Sequence, residues 1–173
     1  MNPIEIRLAT IIDLETLRKL SIQTFTETFE SVNTAENLAN YIEKSFNIKQ
    51  LSTEMLNVNS AFYIAYSNKE PIGYIKINSN EAQTEPIDIN ALEIHRIYVL
   101  NPFYGKSIGQ LLLQKAIDIA RNNNSSMIWL GVWEENKRAL QFYNKHGFVI
   151  FDKHIFRLGN DEQTDLLMKI KIQ

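Results

Sequence analysis

The chain has 173 residues, of which 45% are hydrophobic and 22% charged, and its net charge of −2 gives no overall basis for binding nucleic acid. It contains no cysteine, which excludes disulfides and thiolate metal sites, and no metal is expected. No apolar run approaches the roughly 18 residues of a membrane-spanning helix, and no signal-peptide pattern follows Met1. We therefore expect one cytoplasmic domain over residues 1–173, without membrane contact.

The spacing of apolar residues predicts both strands and helices along the chain. In chain order the predicted elements are a strand at 4–8, helices at 11–29, 34–46 and 48–58, strands at 61–66, 71–78 and 92–99, a helix at 106–121, a strand at 127–132, a helix at 135–145, and strands at 149–158 and 164–172. Asn33 or Thr34 is expected to cap the second helix, residues 67–70 to form a hairpin turn, and residues 80–90 to form a polar loop. Antiparallel hairpins ahead of a βαβ unit indicate an α/β (α+β) fold.

Charged residues are unevenly spread. Residues 20–43 contain four acids and no lysine or arginine, and residues 81–95 contain four more acids, again without either base. The compensating positive charge lies elsewhere and includes Lys106, Lys115, Arg121, Lys137 and Arg138. One part of the molecule is therefore predicted to suit cations and another to suit anions.

A strand, a short turn and a helix follow one another between residues 92 and 112. Small residues at Gly105, Ser107 and Gly109 would let an anion approach the backbone of the turn. Unpaired N–H groups and the dipole at a helix N-terminus favour a bound phosphate. Because such residues also serve as plain helix caps, this segment alone allows either interpretation.

A second segment, residues 129–148, is predicted to run from a strand into a capped helix. Gly147 is explained as the residue that ends this helix. Capping does not explain the spacing of Asn136, Ala139, Phe142 and Tyr143.

Together the two segments resemble the GNAT acetyltransferases. Residues 104–109 stand at the family's pyrophosphate loop, Gln/Arg-x-x-Gly-x-Gly/Ala, and residues 136–148 match Asn-x-x-Ala-x-x-Phe-Tyr-x-x-x-Gly-Phe throughout. The resemblance implies the GNAT fold, a mixed central sheet of about seven strands with helices on both faces, and acetyl-CoA as cosubstrate. The cofactor-binding residues that it implies are Ile97, Tyr98, Val99, Tyr104, Gly105, Lys106, Ser107, Ile108, Gly109, Asn136, Ala139 and Phe142.

Two residues of the turn depart from the family pattern. Tyr104 stands where Gln or Arg is usual, and we expect Lys106 to supply the missing charge. Ser107 replaces a glycine but keeps the backbone N–H, so phosphate binding is expected to survive if the φ angle at this residue is negative. The expected result is weaker cofactor affinity rather than loss of function.

Acetyl transfer to an amine needs a base for the amine and an acid for the departing thiolate. Glu93 has the spacing at which histone-type GNAT enzymes place a glutamate base, and strand alternation predicts that it shares a face with His95, Ile97 and Val99. His95 is the alternative base, because an ordinary histidine has a pKa of about 6.5. Tyr143 matches the family's tyrosine that faces the departing sulfur, and core packing is its alternative role.

A narrower resemblance, to the PaiA-type polyamine acetyltransferases, shows in residues 24–29, 92–99 and 131–136. With the acidic segment 20–43 it implies a cationic, partly aliphatic acceptor such as spermidine or spermine. The substrate-binding residues expected on this basis are Phe25, Glu27, Phe29, Glu30 and Glu36, and a solvated helix face is the alternative for these acids.

Two other classes of function stay open. One is a GNAT activity on an amino acid, an antibiotic or a protein amine, and the other is a non-catalytic acyl-CoA-binding regulatory module. The expected partner is a small-molecule amine, with a homodimer as one option for assembly.

Overall fold

The computed structural model describes residues 3–158 and 161–172, which contain one seven-stranded sheet. The strands are β1 (Ile4–Leu8), β2 (Ser60–Ser67), β3 (Glu70–Asn78), β4 (Leu92–Val99), β5 (Met127–Trp133), β6 (Val149–Leu158) and β7 (Asp161–Lys171). Their spatial order is β1-β2-β3-β4-β5-β7-β6, with β4 and β5 parallel and all other neighbours antiparallel. The predicted mixed sheet of seven strands is confirmed.

Helices cover both faces of the sheet, as predicted. The helices are α1 (Leu14–Phe29), α2 (Ala35–Ser45), α3 (Ile48–Leu56), α4 (Ile108–Asn122) and α5 (Lys137–Lys145). α1, α2 and α3 pack on one face through a cluster that includes Leu17 and Phe46, and α4 and α5 pack on the other through Leu112 and Tyr143. Burying one large apolar side chain contributes about 1.5–3 kcal/mol, so these contacts hold the helices on the sheet.

Local signals in the sequence account for most element boundaries. The Thr34 hydroxyl caps α2 by accepting a hydrogen bond from the Asn37 N–H at 3.2 Å. The hairpin between β2 and β3 turns at Asn68 and Lys69, whose φ angles of 50° and 68° are those a two-residue turn needs. The start of the predicted helix at 11–29 is instead a 3₁₀ turn, so α1 begins at Leu14. None of the helices in the described ranges combines the length and the apolar character that crossing a membrane requires.

β4 separates from β5 soon after it begins. The two strands pair only where Leu92 lies opposite Ile128 and Glu93 lies opposite Trp129. Beyond these positions β4 continues to Val99 without pairing to β5. The gap between the strands leaves one edge of β4 open in the middle of the sheet.

β4 also contains a β-bulge. Arg96 lies opposite Lys76 and Ile94 lies opposite Ile77, so His95 is an extra residue with no partner on β3. A bulge of this kind bends the strand and redirects the side chains beyond it.

The bulge changes which side chains of β4 share a face of the sheet, and the predicted face of Glu93 depended on a regular alternation along this strand. Leu92 and Ile94, on either side of Glu93, pack on the α4 face together with Ile97 and Val99. Glu93 therefore lies on the opposite face, toward α1–α3, where Tyr98 packs. The prediction that Glu93 and His95 share a face with Ile97 and Val99 is therefore wrong for Glu93, because one inserted residue shifts the two-residue period.

Candidate active site

The end of β4, the turn before α4 with the first residues of that helix, and α5 line a cavity of about 460 Å³, here called the first cavity. It is lined by every residue predicted to bind the cofactor except Lys106: Ile97, Tyr98, Val99, Tyr104, Gly105, Ser107, Ile108, Gly109, Asn136, Ala139 and Phe142. Residues from two separate segments of the sequence are thus brought to one place.

The turn before α4 presents unpaired backbone N–H groups. The first hydrogen bond of the helix runs from the Leu111 N–H to the Ser107 carbonyl at 3.0 Å, so the N–H groups of Ile108, Gly109 and Gln110 have no acceptor within the helix. With the helix dipole, these donors suit a phosphate group.

Gly105 and Ser107 both adopt left-handed backbone conformations, with φ angles of 74° and 62°. This conformation suits glycine, whereas other residues incur a cost of about 1–2 kcal/mol. The negative φ that was set as a condition for Ser107 is not found. Between the 3₁₀ turn at Asn101–Phe103 and α4, Ser107 adopts a conformation that a glycine would adopt without strain.

The positive charge at this cavity comes mainly from α5. Lys106 lies outside it, with its ammonium group 4.9 Å from the centroid of the Phe103 ring. Of the basic residues expected near the cofactor, only Arg138 lines the cavity, and Lys145 lines it as well. The Arg138 guanidinium lies 3.7 Å from the centroid of the Tyr104 ring.

Both ends of α5 are fixed by residues of the second motif. The Asn136 side-chain oxygen accepts a hydrogen bond from the Ala139 N–H at 3.1 Å and caps the helix. At the other end Gly147 has a φ of 86°, and the Phe148 N–H bonds to the Tyr143 carbonyl at 3.1 Å. The motif therefore sets where α5 begins and ends, and so which of its side chains face the cavity.

A second cavity, of about 310 Å³, adjoins the first. Both are lined by Ile97, Tyr98, Asn136, Ala139 and Tyr143. Tyr143 is buried, and burial raises the pKa of its phenol above the ordinary value. Its hydroxyl therefore stays protonated near neutral pH, and it lies where the two cavities meet.

Glu93 lines the second cavity with hydrogen bonds on both carboxylate oxygens. Oε2 accepts from the Asn78 amide and from the Thr84 N–H, each at 2.9 Å, and Oε1 accepts from the Thr84 hydroxyl. Burial raises the pKa of Glu93, whose residue is only 2% exposed, and the hydrogen bonds offset part of that rise. Thr84 belongs to the polar loop before β4, where no sequence signal marked it.

His95 lines the same cavity. Its Nδ1 is buried and has no hydrogen-bond partner among the described residues. Burial lowers the pKa of His95 well below its usual value, and the charges of Arg96 and Lys76 lower it further. The imidazole is therefore neutral near pH 7 and accepts a proton only with difficulty.

A buried group of charges lies beside the second cavity. Glu54 on α3 forms two bonds with Arg96, at 2.7 and 3.1 Å, and its Oε2 lies 3.1 Å from the Lys76 ammonium. Burial lowers the pKa of Lys76 to about 8, with the nearby Arg96 charge also contributing. Sequence reasoning missed these residues, because the partners lie far apart in the chain and no local pattern connects them.

Aromatic side chains form one wall of the second cavity. The predicted residues Phe25 and Phe29 line it together with Tyr41, Phe46 and Phe156. Phe25 stacks on Tyr41 at a centroid distance of 4.3 Å and lies 4.7 Å from Phe29. This wall suits an aliphatic chain or a cation.

The acids predicted on α1 and α2 do not line this cavity. Glu27 accepts a hydrogen bond from the Asn101 N–H at 2.9 Å, which ties α1 to the turn after β4. Glu30 and Glu36 are exposed and line neither cavity. These acids fall outside because the inward face of α1 carries Leu17, Leu20, Ser21, Thr24 and Phe25 and no acid, and Glu36 stands in the exposed first turn of α2.

The acids that line the second cavity are Glu85, Glu93 and Asp165. Glu85 and Asp165 flank His154, with Glu85 Oε1 3.0 Å from Nδ1 and Asp165 Oδ2 3.7 Å from Nε2. Burial raises the pKa of Asp165, and the neighbouring His154 lowers it in part. Glu85 lies in the acidic segment 81–95, whereas nothing in the sequence singled out Asp165 on β7.

Comparison with known proteins gives one family and several relatives. A profile described as the acetyltransferase (GNAT) family matches residues 14–148. An uncharacterised N-acetyltransferase from the pepI 3′ region of Lactobacillus delbrueckii subsp. lactis is 39% identical over 157 residues, which is 91% of each chain.

A curated sequence and a solved structure from Thermoplasma acidophilum also match. Its spermidine N(1)-acetyltransferase is 28% identical over 153 residues, covering 86% of this chain and 90% of the relative. The crystal structure of its PaiA N-acetyltransferase in complex with coenzyme A superposes with a TM-score of 0.82 at 26% identity, covering 98% of this chain and 99% of that one.

Proposed function

The chain belongs to the acetyltransferase (GNAT) family and is an acetyl-CoA-dependent N-acetyltransferase, and from this premise we propose that it acetylates a primary amine of a polyamine such as spermidine or spermine. The observation that carries the proposal is that two cavities with different chemistry meet at Tyr143. One has phosphate-binding donors, and the other has aromatic rings and carboxylates.

We propose that the first cavity holds acetyl-CoA. Its residues fit such a molecule, because the unpaired N–H groups at the start of α4 suit a phosphate and the open edge of β4 can pair with the amides of an extended arm. Acetyl-CoA supplies the acetyl carbon and a sulfur leaving group. Ile97, Tyr98 and Val99 would hold the arm, and the turn at residues 104–109 would hold the phosphates.

Deprotonation of the amine is assigned to Glu93. A primary amine has a pKa of about 10.4, so only about one molecule in 2,500 is neutral near pH 7, at a free-energy cost of about 4.6 kcal/mol. Burial raises the pKa of Glu93 toward the working pH, whereas burial and then the Arg96 and Lys76 charges lower the pKa of His95 and oppose its protonation. Glu93 is therefore the better base, acting directly or through a water molecule.

Tyr143 is assigned as the acid for the thiolate. Two tyrosines line both cavities, Tyr98 and Tyr143, and burial keeps both phenols protonated. Tyr143 is the one that matches the tyrosine of the family motif, which faces the departing sulfur. In this scheme the amine nitrogen attacks the acetyl carbon directly, its proton passes to Glu93, and the departing sulfur takes the phenolic proton.

The chemistry of the second cavity supports a cationic acceptor. Three carboxylates line it, from Glu85, Glu93 and Asp165, and its guanidinium, Arg96, is already paired with Glu54. An aliphatic polycation could place its methylene groups on the aromatic wall and its outer ammonium group near the carboxylates. The spermidine N(1)-acetyltransferase and PaiA relatives support the same class of acceptor.

The test is acetyl-CoA turnover against a panel of amines, with the product identified by mass spectrometry. The panel comprises spermidine, spermine, a monoamine of matched chain length, an amino acid and a peptide with a free N-terminus. We expect the polyamines to have the highest kcat/KM and to gain an acetyl group on a primary amine. A preference for the amino acid or the peptide would contradict the polyamine acceptor, and parallel reactions without enzyme correct for spontaneous acetylation.

A further inference from the structure

Tyr104, in the turn before α4, and Arg138, in the first turn of α5, form a cation–π pair. The guanidinium carbon of Arg138 lies 3.7 Å from the centroid of the Tyr104 ring, well within the range of a cation–π contact. Both residues line the first cavity, at the turn that precedes α4. Tyr104 stands where the resembling sequences have Gln or Arg, so a ring has replaced a polar group and a cation lies on that ring.

The N–H donors of Arg138 are available to a ligand. A guanidinium presents these donors in one plane, in a fork that matches a phosphate. No carboxylate or carbonyl of the described residues pairs with this guanidinium. By contrast, the neighbouring Lys137 ammonium lies 3.3 Å from a Glu135 carboxylate oxygen.

The position of Arg138 is not explained by helix stability. It lies in the first turn of α5, where the helix dipole disfavours a positive charge. The side chain is exposed, so it contributes little to the core. An anion bound beside Arg138 would neutralise this charge and remove its unfavourable interaction with the helix dipole.

We propose that Arg138, held on the face of Tyr104, is the cationic contact for a phosphate of coenzyme A at this turn. The inference rests on the proposed use of the first cavity for acetyl-CoA. Tyr104 acts as the positioning residue, since its ring limits the orientations of the guanidinium, and Arg138 takes the role that Lys106 was expected to fill.

The test is calorimetric affinity for coenzyme A and for its 3′-dephospho form. Replacing Arg138 by Ala should weaken coenzyme A binding by about 10- to 100-fold, the range for a lost charge-assisted hydrogen bond. Lys137→Ala removes the same charge from the same helical turn and should change affinity by less than about threefold, as expected for an exposed charge. If the Arg138→Ala loss disappears with the dephospho form, the contact is the 3′-phosphate, and if it persists, the contact is the pyrophosphate.

Variants of Tyr104 test the positioning role. Tyr104→Ala should lower affinity more than Tyr104→Phe, which keeps the ring, and combining Tyr104→Ala with Arg138→Ala should add little further loss. The double variant Tyr104→Arg/Arg138→Ala should regain affinity for coenzyme A.

Wild-type affinity in Arg138→Ala, or an equal loss in Lys137→Ala, would overturn the inference. Failure of the wild-type protein to bind coenzyme A would instead overturn the proposed function, and thermal unfolding of each variant confirms that it is folded.

Discussion

The two cavities that meet at Tyr143 are built in different ways. The first is lined mainly by residues from two short segments, 97–110 and 136–146, and the backbone N–H groups at the start of α4 supply its donors for a phosphate. The second takes side chains from α1, α2, the loop before β4, and strands β4 to β7. Recognition by backbone needs a local conformation, which a short motif can specify, whereas recognition by side chains needs several elements to assemble.

The two cavities also differ in charge. The first presents N–H groups, Arg138 and Lys145, and suits an anion. The second presents the carboxylates of Glu85, Glu93 and Asp165. Opposite charges on the two sides of the reaction centre would draw an anionic cosubstrate and a cationic acceptor to different places.

The largest expected effect is a loss of kcat on changing Tyr143, where the two cavities meet. Tyr143→Phe keeps the ring and removes the proton donor, so kcat should fall by roughly 10²–10⁴-fold while acetyl-CoA affinity changes little. Single-turnover rates and calorimetry measure the two quantities. Tyr63→Phe is a matched control, since Tyr63 lines neither cavity and should lose nothing. Full turnover in Tyr143→Phe would reduce Tyr143 to a packing residue.

The next largest effect is on kcat/KM, from a change to Glu93 in the second cavity. Glu93→Gln should lower kcat/KM about 10²-fold near pH 7, and the loss should shrink as the pH rises toward the pKa of the amine. The wild-type rate depends on the ionised carboxylate, so activity is present above the pKa of Glu93 and lost as pH falls through it. Because that pKa is raised, the loss should begin at higher pH than for an ordinary carboxyl. A loss equal at every pH would indicate positioning, and no loss would assign the base to His95 or water.

A smaller effect separates the acids that line the second cavity from those that do not. Neutralising Glu85 and Asp165 together should raise the KM for spermidine about tenfold, as expected for two partly exposed charges worth up to about 1 kcal/mol each. The KM for a monoamine and for acetyl-CoA should stay nearly constant. Neutralising Glu30 and Glu36 removes the same charge outside the cavity and should change the KM less than about twofold in physiological salt. If neutralising Glu30 and Glu36 raises the KM for spermidine more, the long-range electric field rather than direct contact determines the affinity for the acceptor.

The smallest effect is at Ser107 in the first cavity. Glycine adopts the left-handed conformation without strain, but it also adds freedom to the unfolded chain, so Ser107→Gly should stabilise the protein by about 0.5–1 kcal/mol. Urea unfolding measures this difference. Ser107→Ala keeps the strain and should give no gain, and both variants keep the N–H and should bind coenzyme A within about threefold of wild type. Equal stability of the Gly and Ala variants would show that the φ angle at this residue carries no strain.

Much of the fold could be predicted from the sequence, because its signals are local. The apolar stripe of α4, the Thr34 cap of α2 and the Asn68–Lys69 turn all lie close to where they were predicted. The motif from Asn136 to Phe148 also fixes both ends of α5, because its cap and its terminal glycine act on neighbouring backbone.

Other features follow from tertiary contacts. The bulge at His95 arises from the pairing of β4 with β3, and it reversed the face assigned to Glu93. Glu54, Lys76 and Arg96 meet from α3, β3 and β4, and no sequence period connects them. Charge density along the chain was also a poor guide, because it does not say which side of a helix or which cavity an acid faces.

The sequence by itself determined the family, the order of the elements and the segments that form the first cavity, since these depend on backbone conformation over a few neighbouring residues. Only the tertiary structure decided that Arg138 rather than Lys106 lines that cavity, and that Glu85 and Asp165 rather than Glu30 and Glu36 line the second. The physical reason is that a side chain's charge acts where the fold places it, and the orientation of one element against another is set by packing across the whole sheet.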